Sequence, residues 1–354
     1  MSQSFVLHIG RHKCGTTSLQ RFLSKNTEEL TRRGYYYPRS ARDDVDGAHH
    51  DIPRYLANRT RVNADTAVLQ LQQTRYEDLL QEINDVDIPV LLSSEGFQKV
   101  NPLELPEIFV RGRTRIIIYI REQVDYLAAS YSQEVHEGRA TRSYQSYAGS
   151  FSPDYAKFLE PWEERFGEQN ITVRIFGKSD LKNGDVVADF MDALKIGENA
   201  GLSYPEMPSN PSIGGNLLYF KRLLNQTSIS DELLRQTHGV WSGLALHNEK
   251  FRRKPQFSKQ FVERIRAKFE ESNEIVRNKY FPKREALFQY LPFENQLYSA
   301  EEDDVFRDIW EILKFLEIRR GVLMYDLLGK LIFEYSTDQK IGDLFNDFSN
   351  ELEK

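Results

Sequence analysis

The chain has 354 residues, a formal net charge of −6 at pH 7 and 40% hydrophobic residues. The acidic balance disfavours nucleic acid as a partner. No apolar run approaches the ~20 residues of a membrane-spanning helix. A single cysteine excludes a disulfide framework and leaves no cysteine cluster for a zinc site.

A glycine-containing loop follows the first predicted strand, which is the apolar run at residues 5–9. The next residues follow the spacing of a phosphate loop, G-x-x-x-x-G-K-[ST], at Gly10, Gly15, Thr16 and Thr17. Thr16 replaces the usual lysine, and a lysine stands at Lys13 instead. A helix is predicted over 18–25, so free N–H groups and the helix dipole would favour an anion. The alternative is that these glycines and threonines only cap a helix.

Two further strands are predicted to deliver polar residues to the same edge of a sheet. The run at 89–97 brings Ser93, Ser94 and Glu95 to a strand end, and the run at 115–120 ends on Arg121. A helix follows Arg121 and closes at Gly138. Because ligands bind at the carboxyl ends of parallel strands, we expect the loop, Glu95 and Arg121 to face one crevice.

The whole pattern predicts an α/β fold of the P-loop type, with three layers around a central parallel sheet. Strand and helix signals alternate to about residue 195, interrupted by a helical insertion at about 26–88 that contains a helix over 66–83. Later signals are a strand and turn at 171–181, a helix at 186–196 and a helix at 259–282. The predicted domains are 1–290 and a helical C-terminal extension, 291–354.

The loop HIGRHKCGTTSLQ resembles the 5′-phosphosulfate loop of sulfotransferases that use 3′-phosphoadenosine 5′-phosphosulfate (PAPS). Arg121 and the helix after it resemble the 3′-phosphate element of the same family, and the resemblance covers about residues 4–285. It implies that Lys13 stabilises the leaving group. The implied cofactor-binding residues are Arg11, His12, Lys13, Cys14, Gly15, Thr16, Thr17, Ser18, Arg121 and Ser130.

The sequence departs from that family at two positions. The family's 3′-phosphate serine falls on Ala129, and Ser130 beside it is the candidate replacement. Cys14 stands where the family usually has threonine. A thiol beside Lys13 at a helix amino end is expected to have a lowered pKa, but sulfuryl transfer by in-line displacement uses no thiol. We therefore interpret Cys14 as a packing or incidental substitution.

The resemblance implies that Glu95 is the general base, since a glutamate there is typical of carbohydrate-directed members. The alternative is a carboxylate that only stabilises a helix start. His49 and His50 are candidates to line the acceptor pocket or to replace Glu95 as the base. His12, when protonated, is a candidate to bind sulfate.

The predicted function is sulfuryl transfer from PAPS to a hydroxyl of a glycan or glycolipid, with 3′-phosphoadenosine 5′-phosphate (PAP) as product and no metal. The expected location is the bacterial cytoplasm, because the first residues enter a strand without the pattern of a signal peptide. Apolar residues at helical spacing in the C-terminal extension indicate helices that pack onto the catalytic domain or, as the alternative, form a homodimer or dock to another enzyme. The rivals are an ATP-dependent phosphotransferase and a non-catalytic nucleotide-binding module.

Overall fold

The computed structural model describes residues 3–59, 65–138, 140–197, 201–204, 212–226, 238–253 and 257–290, together with 232, 308, 311, 312, 314 and 315. The chain forms two compact units that alternate along the sequence. The first unit comprises Met1–Gln123, Pro153–Met207 and Arg266–Leu291. The second comprises Val124–Ser152, Pro208–Ile265 and Pro292–Lys354.

The first unit is built on a sheet of four parallel strands in the order β2-β1-β3-β4. These strands are β1 (Phe5–His8), β2 (Val90–Ser93), β3 (Thr114–Ile120) and β4 (Ile171–Ile175). In register, His8 of β1 lies beside Ser93 of β2 and Ile117 of β3. Near-continuous apolar sequence is typical of parallel strands covered on both faces, which is why local pattern predicted them.

Helices cover both faces of this sheet. The helices in chain order are α1 (Thr16–Lys25), α2 (Thr27–Arg32), α3 (Asp51–Asn58), α4 (Thr66–Ile83), α5 (Gln123–His136), α6 (Tyr144–Ser150), α7 (Tyr155–Phe166), α8 (Val186–Ala193), α9 (Gly215–Gln226), α10 (His238–His247) and α11 (Lys259–Tyr280). Val6 points to the face covered by α1 and α8, and Leu7 to the face covered by α3, α4 and α7. The predicted α/β class, with its central parallel sheet and helical insertion, is confirmed.

The second unit is helical in its described part. Trp241 of α10 is buried edge-on against Phe220 of α9, with ring centroids 6.0 Å apart. Asn225 of α9 donates hydrogen bonds to the carbonyls of Val135 and Ala140, at 2.8 and 3.0 Å. The buried amide therefore ties α9 to the end of α5.

Most of the predicted C-terminal extension lies outside the described residues, so its helices and any dimer through them stay predictions. In the described part of the chain, we find no helix with the length and apolar character of a membrane span.

Candidate functional site

The loop between β1 and α1 has the backbone geometry of an anion-binding turn. Gly15 precedes α1 with φ of 74°, and no side chain of the described residues caps the helix there. A Cβ on Gly15 would lie 2.8 Å from Phe176, and one on Gly10 would lie 2.6 Å from the Thr16 methyl group. A side chain at either position would force a neighbouring side chain to shift, and at Gly15 the left-handed backbone also favours glycine. The first-turn N–H groups of α1 are left to serve an anion.

The side chains of this loop divide into core and surface. Cys14 is buried in the cluster that includes Val6 and Leu19, and burial raises the pKa of its thiol to about 12. The expectation of a lowered pKa is wrong, because desolvation outweighs the nearby positive charges. Thr16 is also buried, whereas Thr17 and Ser18 are exposed at the start of α1. Cys14 and Thr16 can therefore serve a ligand chiefly through backbone N–H groups.

Arg121 follows β3 directly, and the structure brings it to the loop. Its Nη1 donates a hydrogen bond to the carbonyl oxygen of Lys13, at 2.8 Å. Its guanidinium also lies 5.4 Å from the ring centre of Phe176. The Tyr155 hydroxyl accepts from the Arg121 N–H at 3.2 Å and donates to the Arg121 carbonyl. Backbone and side chain of Arg121 are thus both fixed beside the loop.

Lys13 itself has φ of 61°, in the left-handed region that non-glycine residues rarely adopt. Strained backbone of this kind is frequent at functional sites. The neighbouring Arg11 packs its guanidinium over the ring of Phe158 in α7, 4.6 Å from its centre. The loop is therefore held from one side by Arg121 and from another by α7.

Glu95 begins a short 3-10 helix (Glu95–Lys99) directly after β2. Its Oε2 accepts a hydrogen bond from Gln20 of α1 at 2.9 Å. Its Oε1 lies 3.7 Å from His12 Nδ1 and 4.0 Å from His50 Nε2. The carboxylate is mostly buried, with 14% of the side chain exposed. Glu95 therefore joins the loop, the helix after it and the insertion in one cluster.

The two histidines beside Glu95 have opposite pKa shifts. Burial lowers the pKa of His50, but the hydrogen bond to Asp46 and the charges of Glu95 and Asp46 more than offset this, and the pKa is raised. His50 Nε2 lies 3.5 Å from Asp46, and its Nδ1 shares a 2.8 Å hydrogen bond with the Ser94 hydroxyl. For His12, burial and the charges of Lys99, His50 and Lys13 outweigh Glu95, and its pKa is lowered.

His49 occupies a different place from its predicted one at an acceptor pocket. It is fully buried, its Nδ1 accepts from the Ser93 N–H at 3.3 Å, and its Nε2 lies 3.2 Å from the Pro38 carbonyl. Burial lowers the pKa of its imidazole to about 3. With both nitrogens on backbone groups, His49 supports the fold beneath the site, and we leave it out of the proposed substrate contacts.

Ser130 lies in α5, within the second unit. Its hydroxyl shares a 2.8 Å hydrogen bond with the hydroxyl of Tyr147 in α6. Its role toward a 3′-phosphate stays a prediction.

Sequence reasoning missed several residues that build the site. They are Gln20, Asp46, Tyr155 and Phe176. Gln20 carried a usable signal, since it stands three residues before Leu23 and is therefore a polar residue on the apolar side of the predicted helix. The others depend on contacts between segments distant in sequence, which local pattern does not record. Among the described residues, no group of three metal-binding side chains is found.

Comparisons with known proteins add the following. No family model matches the chain. An uncharacterized protein of Archaeoglobus fulgidus is 27% identical over 252 residues, which cover 66% of this chain and 67% of that protein. The crystal structure of a sulfotransferase from Alicyclobacillus acidocaldarius aligns with 16% identity and a TM-score of 0.38, covering 72% of this chain and all of that one.

Proposed function

We propose that this protein is a sulfotransferase that moves a sulfuryl group from PAPS to a hydroxyl group of a glycan or glycolipid. One observation carries the proposal: Arg121, at the end of β3, is hydrogen-bonded to the carbonyl of Lys13 in a phosphate loop that lacks the usual lysine. A phosphate loop joined to a strand-end arginine suits a nucleotide that carries phosphates on both the 3′ and the 5′ position of its ribose. The loop fits a phosphate, because no side chain of the described residues caps α1 after Gly15, which leaves first-turn N–H groups for an anion.

In this proposal, Lys13 and the first-turn N–H groups of α1 stabilise the charge that develops on the leaving 5′-phosphate. Such groups are effective because the fold has already oriented them, so little reorganisation is needed during reaction. The contact between Arg121 and the Lys13 carbonyl holds the loop in this orientation. Arg121 also supplies a positive charge for the 3′-phosphate.

In this proposal, Glu95 lies at the centre of the cluster of side chains that takes the proton from the hydroxyl of the acceptor. It is held by Gln20 and flanked by His12 and His50, so its carboxylate has a fixed orientation toward the loop. Positioned proton acceptors of this kind contribute about 10²–10⁴-fold to rate.

A polar groove supports a hydroxyl-rich acceptor. It has a volume of about 600 Å³ and includes Arg21, Lys25, Arg39 and Asp46 in its lining. Asp46 also contacts His50, which places the groove next to the Glu95 cluster. Ligand sites commonly have volumes of about 300–1,000 Å³, and mixed charged side chains suit hydroxyl groups better than an apolar phenol or steroid.

The test is calorimetric titration with PAP, ADP and ATP. We expect PAP to bind more tightly than ADP, which lacks the 3′-phosphate, and to raise the melting temperature. Arg121→Met should remove most of the preference for PAP. Arg115→Met is the matched control, since Arg115 lies at the opposite end of β3 and donates to the Ala193 carbonyl at 3.1 Å. Tighter binding of ATP than of PAP would contradict the proposal and favour the phosphotransferase.

A further inference from the structure

Three nitrogen-bearing side chains surround the Glu95 carboxylate, and one of them donates a hydrogen bond to it. Gln20 donates to Oε2 at 2.9 Å. The two imidazoles approach Oε1, His12 through Nδ1 at 3.7 Å and His50 through Nε2 at 4.0 Å. A carboxylate surrounded in this way is better suited to orient an imidazole than to accept a proton directly from a substrate.

The two imidazoles are not equivalent as proton acceptors. His50 is fixed at both ring nitrogens, by Ser94 and by Asp46, and its side chain is 15% exposed. His12 lies in the phosphate loop with 37% of its side chain exposed, and only its Nδ1 faces Glu95. Because the pKa of His50 is raised and that of His12 is lowered, the two titrate apart. Of the two, His12 is therefore the imidazole that more readily stays neutral and keeps a lone pair on a ring nitrogen.

We propose that His12 is the residue that takes the acceptor proton, on Nε2, while Glu95 orients its Nδ1–H and balances the imidazolium. This assignment rests on the proposed function and names the atom that carries the proton. The acceptor oxygen forms its bond to sulfur as its proton moves to His12 Nε2. The bond between sulfur and the 5′-phosphate oxygen breaks, and its electron pair leaves with the phosphate.

The position of His12 also suits the charge that the reaction creates. The leaving 5′-phosphate gains negative charge at the loop that contains His12, and an imidazolium there would offset it. The charged groups facing His12 are Glu95 and Lys99 from the 3-10 helix, His50 from the start of α3 and Lys13 from the loop. Three of these favour the neutral imidazole before reaction, so a new anion nearby is needed to hold the proton.

The assignment can be tested without an acceptor, because the PAP complex resembles the product state. We expect PAP binding at pH 6.5 to be accompanied by proton uptake, measured by calorimetry in buffers of different ionisation enthalpy. The uptake should be lost in His12→Gln and reduced in Glu95→Gln. His247→Gln is the matched control, since His247 is an exposed histidine at the end of α10.

A second measurement uses the wild-type protein and does not depend on the folding of any variant. Ring-nitrogen NMR should find neutral His12 protonated on Nδ1, and PAP should raise its titration midpoint by about one pH unit or more, as expected for a nearby opposite charge. Equal proton uptake in wild type and His12→Gln, or an Nε2-protonated His12, would overturn the assignment. Absence of PAP binding would instead overturn the proposed function.

Discussion

In the proposed mechanism Lys13 acts on the nucleotide, whereas Glu95 acts in proton transfer. Replacing the two residues should therefore have different effects. Lys13→Ala removes a charge-assisted contact to the nucleotide, so both PAP affinity and turnover should fall. Glu95→Gln should leave PAP affinity close to wild type while turnover falls by about 10²–10⁴-fold. The measurements are PAP calorimetry and sulfuryl transfer with radiolabelled PAPS. The amide tests the charge of Glu95 without opening a cavity.

The contrary outcomes of this pair are informative. If Glu95→Gln abolishes PAP binding, the carboxylate holds the cofactor loop through His12 and has no separate role in proton transfer. If it transfers sulfate at the wild-type rate, Glu95 itself takes no part in proton transfer.

Cys14 should be inert in the folded protein. Its thiol is buried and its pKa is raised to about 12, so almost no reactive thiolate exists at pH 8. Because the chain has one cysteine, a disulfide-exchange reagent reports on this residue alone. We expect no reaction in buffer and one thiol per chain in urea. Rapid labelling of the native protein would show that the loop opens readily.

The sequence pattern indicated Lys13, Cys14 and Glu95 as candidate residues, but it did not separate the roles of two adjacent histidines. His49 and His50 are adjacent, yet one is buried on backbone groups and the other contacts Glu95. Which side of the chain faces the core there depends on the packing of Tyr37 against His49, a contact that no local period specifies. The role of Gln20 likewise depends on α1 lying beside the end of β2.

Strands and helices were predicted more fully than side-chain contacts. The apolar runs became β1 to β4, and the predicted helix at 66–83 has the observed bounds of α4. Burial on both faces gives parallel strands a strong local signal. The attachment of α8 to the sheet had no such signal, because it depends on a buried carboxylate, Asp189, and its partners.

Asp189 joins α8 to two strands. It accepts hydrogen bonds from the Tyr119 hydroxyl at 2.8 Å, from Arg174 through both oxygens at 2.8 Å, and from the Lys182 N–H at 3.0 Å. Asp189→Ala should lower the free energy of unfolding by about 3–5 kcal/mol, since it leaves buried donors unpaired. Asp192→Ala is the control: this exposed partner of Arg174 should cost under about 1 kcal/mol.

Urea unfolding measures both variants. Equal losses of unfolding free energy in the two variants would mean that the buried Asp189 contributes no more to stability than the exposed Asp192. Displacement of α8 in Asp189→Ala should also disturb the loop between β1 and α1, because Val186 of α8 and Phe176 fill the space beside Gly15. PAP affinity in Asp189→Ala should therefore fall together with stability.

The molecule as a whole is organised by contacts between distant segments. Each of the two units is assembled from three stretches of the chain, and Asp154 of one stretch accepts a 2.7 Å hydrogen bond from Ser272 of another in the first unit. Periodicity predicts elements one at a time, so it does not indicate which elements share a unit.

The stability of the whole protein should fall in mild acid because buried histidines, His8 and His49 among them, are held neutral. Burial lowers the pKa values of His8 and His49 to about 3, whereas an unfolded histidine has a pKa of about 6.5. Between these values the unfolded state binds more protons. The stabilisation is therefore complete above about pH 6.5 and is lost progressively as pH falls toward 3.

At pH 5, the expected loss is about 2 kcal/mol for each histidine, from 1.36 kcal/mol per pH unit. Urea unfolding at pH 7, 6 and 5 measures it. His49→Gln can keep a donor and an acceptor for Pro38 and Ser93 without a titrating proton, so its stability should depend less steeply on pH than that of wild type. His247→Gln, at an exposed position, should retain the wild-type slope. An unchanged slope in His49→Gln would show that His49 takes up a proton as readily in the folded protein as in the unfolded one. That result would contradict the hydrogen bond that its Nδ1 accepts from the Ser93 N–H.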